Sequence, residues 1–179
     1  MTERKNAMGK IATIIAGAAA AAAMLGTAHA ASATADIVGA GGKSLGKATF
    51  TDAPTGVLIR LELQGLPAGY KGVHLHAVGT CEDHDHGFVA SKAHINPDNR
   101  KHGLLNPEGP DSGDLPNVYV HSDGKAMAEL FTTAVSISQR AGKATLLDAD
   151  GAAILVHANP DDHTTQPIGG AGARVGCGV

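Results

Sequence analysis

The run Gly72-Val73-His74-Leu75-His76-Ala77-Val78-Gly79-Thr80-Cys81 places two histidines one residue apart, with a cysteine five residues beyond the second. In an extended chain, residues two apart point to the same face, so His74 and His76 can offer ring nitrogens to one metal ion. A lone pair of this kind is more often exposed than liganded. Further donors follow, however, at His94, His102, Asp111, Asp114 and His157, and Arg174 stands three residues before the only other cysteine, Cys177. Imidazoles suit transition metals, carboxylates add oxygen ligands, and a fixed guanidinium can dock a small anion.

The elements that must carry these residues begin after a leader. Arg4, Lys5 and Lys10 form a basic start, residues 11–25 are apolar and alanine-rich, and Ala28-His29-Ala30 is a small-x-small cleavage pattern. Residues 1–30 thus read as a signal peptide that is removed, leaving 31–179 as one domain. A membrane anchor is the alternative, but about 15 apolar residues fall short of the roughly 20 a spanning helix needs. The expected product is exported, most simply to the periplasm, with no membrane anchor in its mature form. In an oxidising compartment, Cys81 and Cys177 have only each other to pair with. A two-thiolate metal site would lack partners at suitable spacing.

The full chain carries a net charge of −3, which becomes more acidic once the leader is set aside. With no basic cluster and few aromatics, nucleic acid is not an expected partner.

Short alternating segments dominate the rest. In Val57-Leu58-Ile59-Arg60-Leu61-Glu62-Leu63, the odd positions are all apolar while Arg60 and Glu62 lie on the other face. Other β candidates are 35–38, 46–51, 73–77, 118–121, 126–131, 152–157 and 174–179. Ser122-Asp123-Gly124 and residues 148–151 have turn chemistry. The fold expected is all-β, an eight-stranded Greek-key β-barrel or sandwich, immunoglobulin-like in architecture. Residues 82–117 and 158–173 are long connections rich in Gly, Pro, Asp, Asn and His, and are read as metal-ordered loops.

Six separated motifs occur in order: H-L-H-x4-C at 74–81, A-H-I-N-P at 93–97, K-H-G at 101–103, G-D-L-P-N at 113–117, a late strand ending in His157, and R-V-G-C-G at 174–178. In these the chain resembles the exported bacterial copper-zinc superoxide dismutases. The resemblance spans nearly all of 31–179 and is least specific over 31–70. It implies copper on His74, His76, His94 and His157, and zinc on His94, His102 and Asp114. His94 would bridge the two metals as an imidazolate and carry a proton during the redox cycle. Arg174 would dock superoxide beside copper, and Asp161 would link a copper histidine to a zinc histidine; Asp162 could compete for that place. Cys81–Cys177 would be the disulfide, and the protein a monomer or homodimer.

One position departs from the family pattern: Asp111 stands where the zinc site usually has a third histidine. Either Asp111 is itself a ligand, since zinc accepts carboxylate oxygen, or the zinc site is weak and the protein is in effect a copper-only dismutase. A non-catalytic copper-binding or buffering module is a further alternative, which Arg174 argues against, and a purely structural sandwich would leave the convergent histidines unexplained. Electrostatic steering is expected to be weak, because no Lys or Arg lies between His157 and Arg174; Lys92, Arg100 and Lys101 could contribute. The cluster Glu82-Asp83-His84-Asp85-His86 reads as a solvated loop, or less readily as an outer copper-recruiting site. His121 and His163 read as surface histidines.

Overall fold

A computed structural model describes Met1 and residues 30–179. The expected leader falls outside the described residues. Among the described residues there are eleven strands: β1 (Ser32–Val38), β2 (Ser44–Asp52), β3 (Val57–Leu63), β4 (Gly69–Lys71), β5 (Val73–His76), β6 (Val118–Val120), β7 (Ala126–Thr132), β8 (Val135–Ser136), β9 (Ala144–Thr145), β10 (Ala153–His157) and β11 (Arg174–Gly178). Each of the eight segments expected from alternation overlaps one of them, with bounds that differ at some ends. The three additional strands, β4, β8 and β9, are two or three residues long, too short for a period of two to show.

Seven strands form one curled sheet in the order β5-β10-β11-β1-β2-β3-β7, with every pairing antiparallel. Strand β3 shows why the sequence folds this way. Val57, Ile59, Leu61 and Leu63 are buried while Leu58, Arg60 and Glu62 face out, so a one-residue slip would turn the whole apolar set to water. Those inner residues join Ile37, Ala48, Phe50, Leu75, Leu115, Val120, Leu130, Ile154 and Val156 in the core.

At one edge, β5 and β10 are buried along their whole length. The 82–117 loop covers the free side of β5: Leu75 N–H donates to the Gly113 carbonyl (2.8 Å), Ile95 N–H to the Leu75 carbonyl (2.9 Å) and Ala77 N–H to the Ala93 carbonyl (3.0 Å). A Cβ at Gly113 would lie 2.3 Å from the Leu75 carbonyl oxygen and 2.9 Å from the His94 Cβ, so only glycine allows this approach. The loop thereby brings His94 and Asp114 beside His76 and His74 as isolated β-bridge partners. Cys81 and Cys177 form a disulfide that ties the start of this loop to β11.

Candidate metal centre

His74 and His76 leave β5 on the same side, as alternation requires, and His157 ends the neighbouring strand β10. A register shift between Val156 and His157 sets the histidine against Arg174 on β11. Ligand atoms of His74, His76 and His157 lie within 4.8 Å of one another, and His94, carried by the loop laid over β5, adjoins them, its ring centroid 4.2 Å from that of His74 and 5.1 Å from that of His76.

In each of these four rings one nitrogen is held and the other is buried without a hydrogen-bond partner. His76 Nδ1 donates to the Lys92 carbonyl (2.7 Å), His157 Nδ1 to the Gly172 carbonyl (3.0 Å) and His74 Nε2 to the Asp161 carboxylate (2.8 Å). His94 Nδ1 lies 2.9 Å from the Asp111 carboxylate. The free atoms are His74 Nδ1, His76 Nε2, His94 Nε2 and His157 Nε2. A carbonyl can only accept, so in neutral His76 and His157 the proton sits on Nδ1 and the lone pair on Nε2. Such outer partners are what orients metal-binding imidazoles. Leaving four polar nitrogens unpaired in the interior is costly unless a cation receives them, so the residues fit copper.

Burial also keeps this group uncharged. It lowers the pKa of His74, takes that of His76 to about 2, with the charges of His94 and Arg174 adding to the effect, and takes that of His157 to about 4. No proton competes with a metal at His76 or His157 near neutral pH.

The second cluster adjoins the first through His94. Ligand atoms of His94, His102, Asp111 and Asp114 lie within 4.8 Å of one another, and all four side chains are buried. His102 Nδ1 is 2.5 Å from Asp114 Oδ1, and His94 Nδ1 is 3.5 Å from the same oxygen. Asp111 therefore sits inside the cluster with its carboxylate turned toward it. Two imidazoles and two carboxylates are an acceptable tetrahedral set for zinc. The electrostatics are the reverse of the first cluster. Burial opposes the charged form of His94 and His102, but hydrogen bonds and charge from the surrounding carboxylates outweigh it, raising His94 and taking His102 up to about 10. Burial would likewise raise Asp114, yet His102, His94 and the Gly103 amide hold it well below the usual carboxylate range.

Asp161 spans the two clusters. One carboxylate oxygen accepts from His74 and the other lies 3.1 Å from His102 Nε2, and these histidines with the His163 amide hold its pKa far down against burial. A Cβ at Gly169, where φ is +60°, would fall 1.6 Å from the Asp161 carboxylate, so this position is closed to other residues. Asp162 is exposed and caps the amides of Thr164 and Thr165 instead.

Arg174 is held by three acceptors: Nη1 donates to the Phe88 carbonyl (2.6 Å) and Ser91 Oγ (3.2 Å), and Nη2 to the Lys92 carbonyl (2.8 Å). It lines a cleft with His76, His94, Arg100, Gln166 and Ile168. The cleft is open to solvent, so a small anion entering it meets the guanidinium and the His76 and His94 rings together.

The remaining histidines are placed differently from one another. His121 is exposed and stacks edge-on against Tyr119. His163, expected at the surface, is instead partly enclosed, 3.2 Å from the Asn117 amide nitrogen and 3.5 Å from the Asp161 carboxylate. His84 and His86 stand on a short 3-10 turn that joins none of the metal-capable groups found among the described residues. The acids beside them have local partners: Asp83 accepts from Ala90 N–H, and Asp85 accepts from Gly41 N–H and pairs with His84. Two contributors have roles the sequence does not announce: Asn117, the last residue of the G-D-L-P-N motif, and Gln166, which stands in no motif; their amide side chains grip the main chain of Asp161 and His102.

Comparison with known proteins fits this geometry. The family model for copper/zinc superoxide dismutase (SODC) matches residues 44–179. The chain is 52% identical over 149 residues to a Cu-Zn superoxide dismutase of Caulobacter vibrioides, covering 83% of this chain and 84% of the relative. It is 40% identical over 146 residues to Cu-Zn superoxide dismutase 1 of Aquifex aeolicus, covering 81% and 85%. Among solved structures, a SOD-like protein of Bacillus subtilis superposes with a TM-score of 0.76 at 33% identity, covering 81% and 95% of the two chains. The Cu/Zn superoxide dismutase of Brucella abortus gives 0.64 at 28%, covering 83% and 99%. The chain belongs to the copper/zinc superoxide dismutase family.

Proposed function

We propose that this chain is an exported enzyme that converts two superoxide anions and two protons into oxygen and hydrogen peroxide. Copper would be held by His74, His76, His94 and His157, and zinc by His94, His102, Asp111 and Asp114. The observation that carries the reading is the set of four buried, unpartnered imidazole nitrogens, each on a ring fixed by its other nitrogen.

Bound copper supplies the one-electron chemistry, so that one superoxide is oxidised and the next reduced. The protein does the rest. Arg174, immobilised by the Phe88, Ser91 and Lys92 acceptors, binds the anion and orients it toward His76 and His94. His94 Nε2 faces the copper histidines while its Nδ1 faces the zinc carboxylates, so Nε2 is the atom that holds a proton and passes it to the reduced anion. Asp161 fixes the tautomer of His74 and keeps His102 in step with it.

Export follows from the leader pattern at residues 1–30 and accords with the Cys81–Cys177 disulfide. Among the described residues no helix is long and apolar enough to cross a membrane.

The test is superoxide decay by stopped flow on residues 31–179, oxidised and loaded with both metals. A second-order rate near the diffusional ceiling of about 10⁸–10⁹ M⁻¹s⁻¹ is expected, and Arg174→Ala should lower it with copper content unchanged. Decay no faster than that of an equal concentration of free copper would overturn the proposal and leave copper binding as the function.

A further inference from the structure

His102 lies in the 82–117 loop, where no strand ladder holds its main chain. Its N–H donates to Gln166 Oε1 (3.0 Å), and Gln166 Nε2 donates back to its carbonyl (2.8 Å). The side-chain amide thus completes a two-point pairing of the kind one strand makes with another. A third bond, from Gln166 Nε2 to the Thr164 carbonyl (3.0 Å), fixes the amide itself. Gln166 belongs to the opposite loop, 158–173, and so reaches across the cleft.

Asn117 makes the mirror-image pairing. Its Oδ1 accepts from Asp161 N–H (2.8 Å) and its Nδ2 donates to the Asp161 carbonyl (2.8 Å). Each loop therefore grips the main chain of a key residue in the other, on either side of the contact between His102 Nε2 and the Asp161 carboxylate. Gln166 is solvent-exposed, contributes nothing to the core and lines the mouth of the cleft. Its position is explained by what it holds.

We infer that Gln166 is a positioning residue for the zinc half of the centre: its amide sets the main chain of His102, and through it the aim of the imidazole toward Asp114 and Asp161. The inference rests on the reading of His102 as a zinc ligand. The copper histidines of β5 and β10 do not depend on it, because their main chain is held by the sheet. Gln166→Ala removes both bonds to His102. Gln166→Glu keeps the acceptor for its N–H and loses the donor to its carbonyl.

The test uses residues 31–179 with zinc and copper affinities measured separately by chelator competition, and amide exchange followed at His102 in the metal-free protein. For Gln166→Ala, zinc affinity should fall about 10-fold, within the range seen when outer partners of metal ligands are removed. Exchange at the His102 amide should accelerate by a similar factor, while copper affinity stays within about twofold. Gln166→Glu should retain most of the His102 protection and lie between the two in zinc affinity. The inference is overturned if Gln166→Ala leaves zinc affinity and His102 exchange within about twofold of the parent, or if it weakens copper as much as zinc. A parent protein that binds neither zinc nor cobalt would remove His102 as a ligand, and this inference with it.

Discussion

His74, His76 and His157 stand on strands β5 and β10, whereas His94, His102, Asp111 and Asp114 stand on a loop laid over the edge of the same sheet. The strand-borne group is held by ladder hydrogen bonds and core packing, is purely imidazole, and is kept neutral by burial. The loop-borne group mixes imidazole with carboxylate, and its histidines are driven toward the charged form by the acids around them. The first is preorganised by the fold. The second depends on side-chain clamps, on the disulfide and on its own charge pairs. One centre is thus assembled from a rigid half and a conditional half, joined at His94 and strapped by Asp161.

The largest effect that would sharpen this contrast is loss of the disulfide. Replacing both cysteines, Cys81→Ser with Cys177→Ser, opens a loop spanning 96 residues and should cost about 4–5 kcal/mol of stability by loop-closure entropy. Chemical unfolding of the metal-free protein measures it. In the still-folded fraction, zinc affinity should fall more than copper affinity, because the bridge anchors the loop to β11, whereas β5 and β10 keep their own ladder hydrogen bonds.

The two halves should also answer pH with opposite signs when metal-free. His157 has its pKa lowered to about 4 by burial, so the unfolded chain takes up a proton there first. Stability should therefore decline as pH falls below about 6.5, by roughly 3 kcal/mol for this group once pH is below its folded value. His102 has its folded pKa raised to about 10 by Asp114 and Asp161. Its contribution is fully present below about pH 6.5 and is lost as pH rises through about 10. Urea midpoints across pH should flatten on the acid side in His157→Gln and on the alkaline side in His102→Gln. The same flank flattening in both variants would break the contrast.

A smaller effect isolates the family departure at position 111. Asp111→Ala should weaken zinc by about 10–100-fold and leave the affinity of the strand-borne copper group within about twofold. Equal zinc binding by parent and variant would mean that the carboxylate is not a ligand. The smallest effect concerns approach of substrate to the shared cleft. Arg100 and Arg174 are the cations lining it, in a protein of net negative charge. Raising ionic strength from about 0.01 to 0.15 M should slow superoxide decay by less than about threefold.

The same division governs how much of the molecule is legible in its sequence. The β5 pair is legible because alternation alone puts His74 and His76 on one face, and the apolar run up to His157 marks a buried strand end. The alternation of 57–63 identifies the core face of β3 in the same way. The loop-borne residues have no periodicity to reveal them: His94, His102 and Asp114 stand out through motifs shared with a known family, and Asp111 as the one departure from that family's pattern. The roles of Gln166 and Asn117 give no sign, even though Asn117 closes the G-D-L-P-N motif, because both act on main-chain atoms of residues far away in sequence, at a distance set by the path of two irregular loops. His163 departs from its expected surface position for the same reason, as its backbone takes a left-handed turn, φ +62°, that carries its ring back toward Asp161. Strands β8 and β9 escape a reading by alternation because two residues carry no pattern.

One centre of two unlike halves sharing His94 is tested most directly by anomalous diffraction at the copper and zinc edges from crystals of the doubly loaded protein. Copper should lie among His74, His76, His94 and His157, and zinc among His94, His102, Asp111 and Asp114, with a separate His94 nitrogen on each metal. Zinc elsewhere, or Asp111 turned away from an otherwise occupied site, would contradict this arrangement.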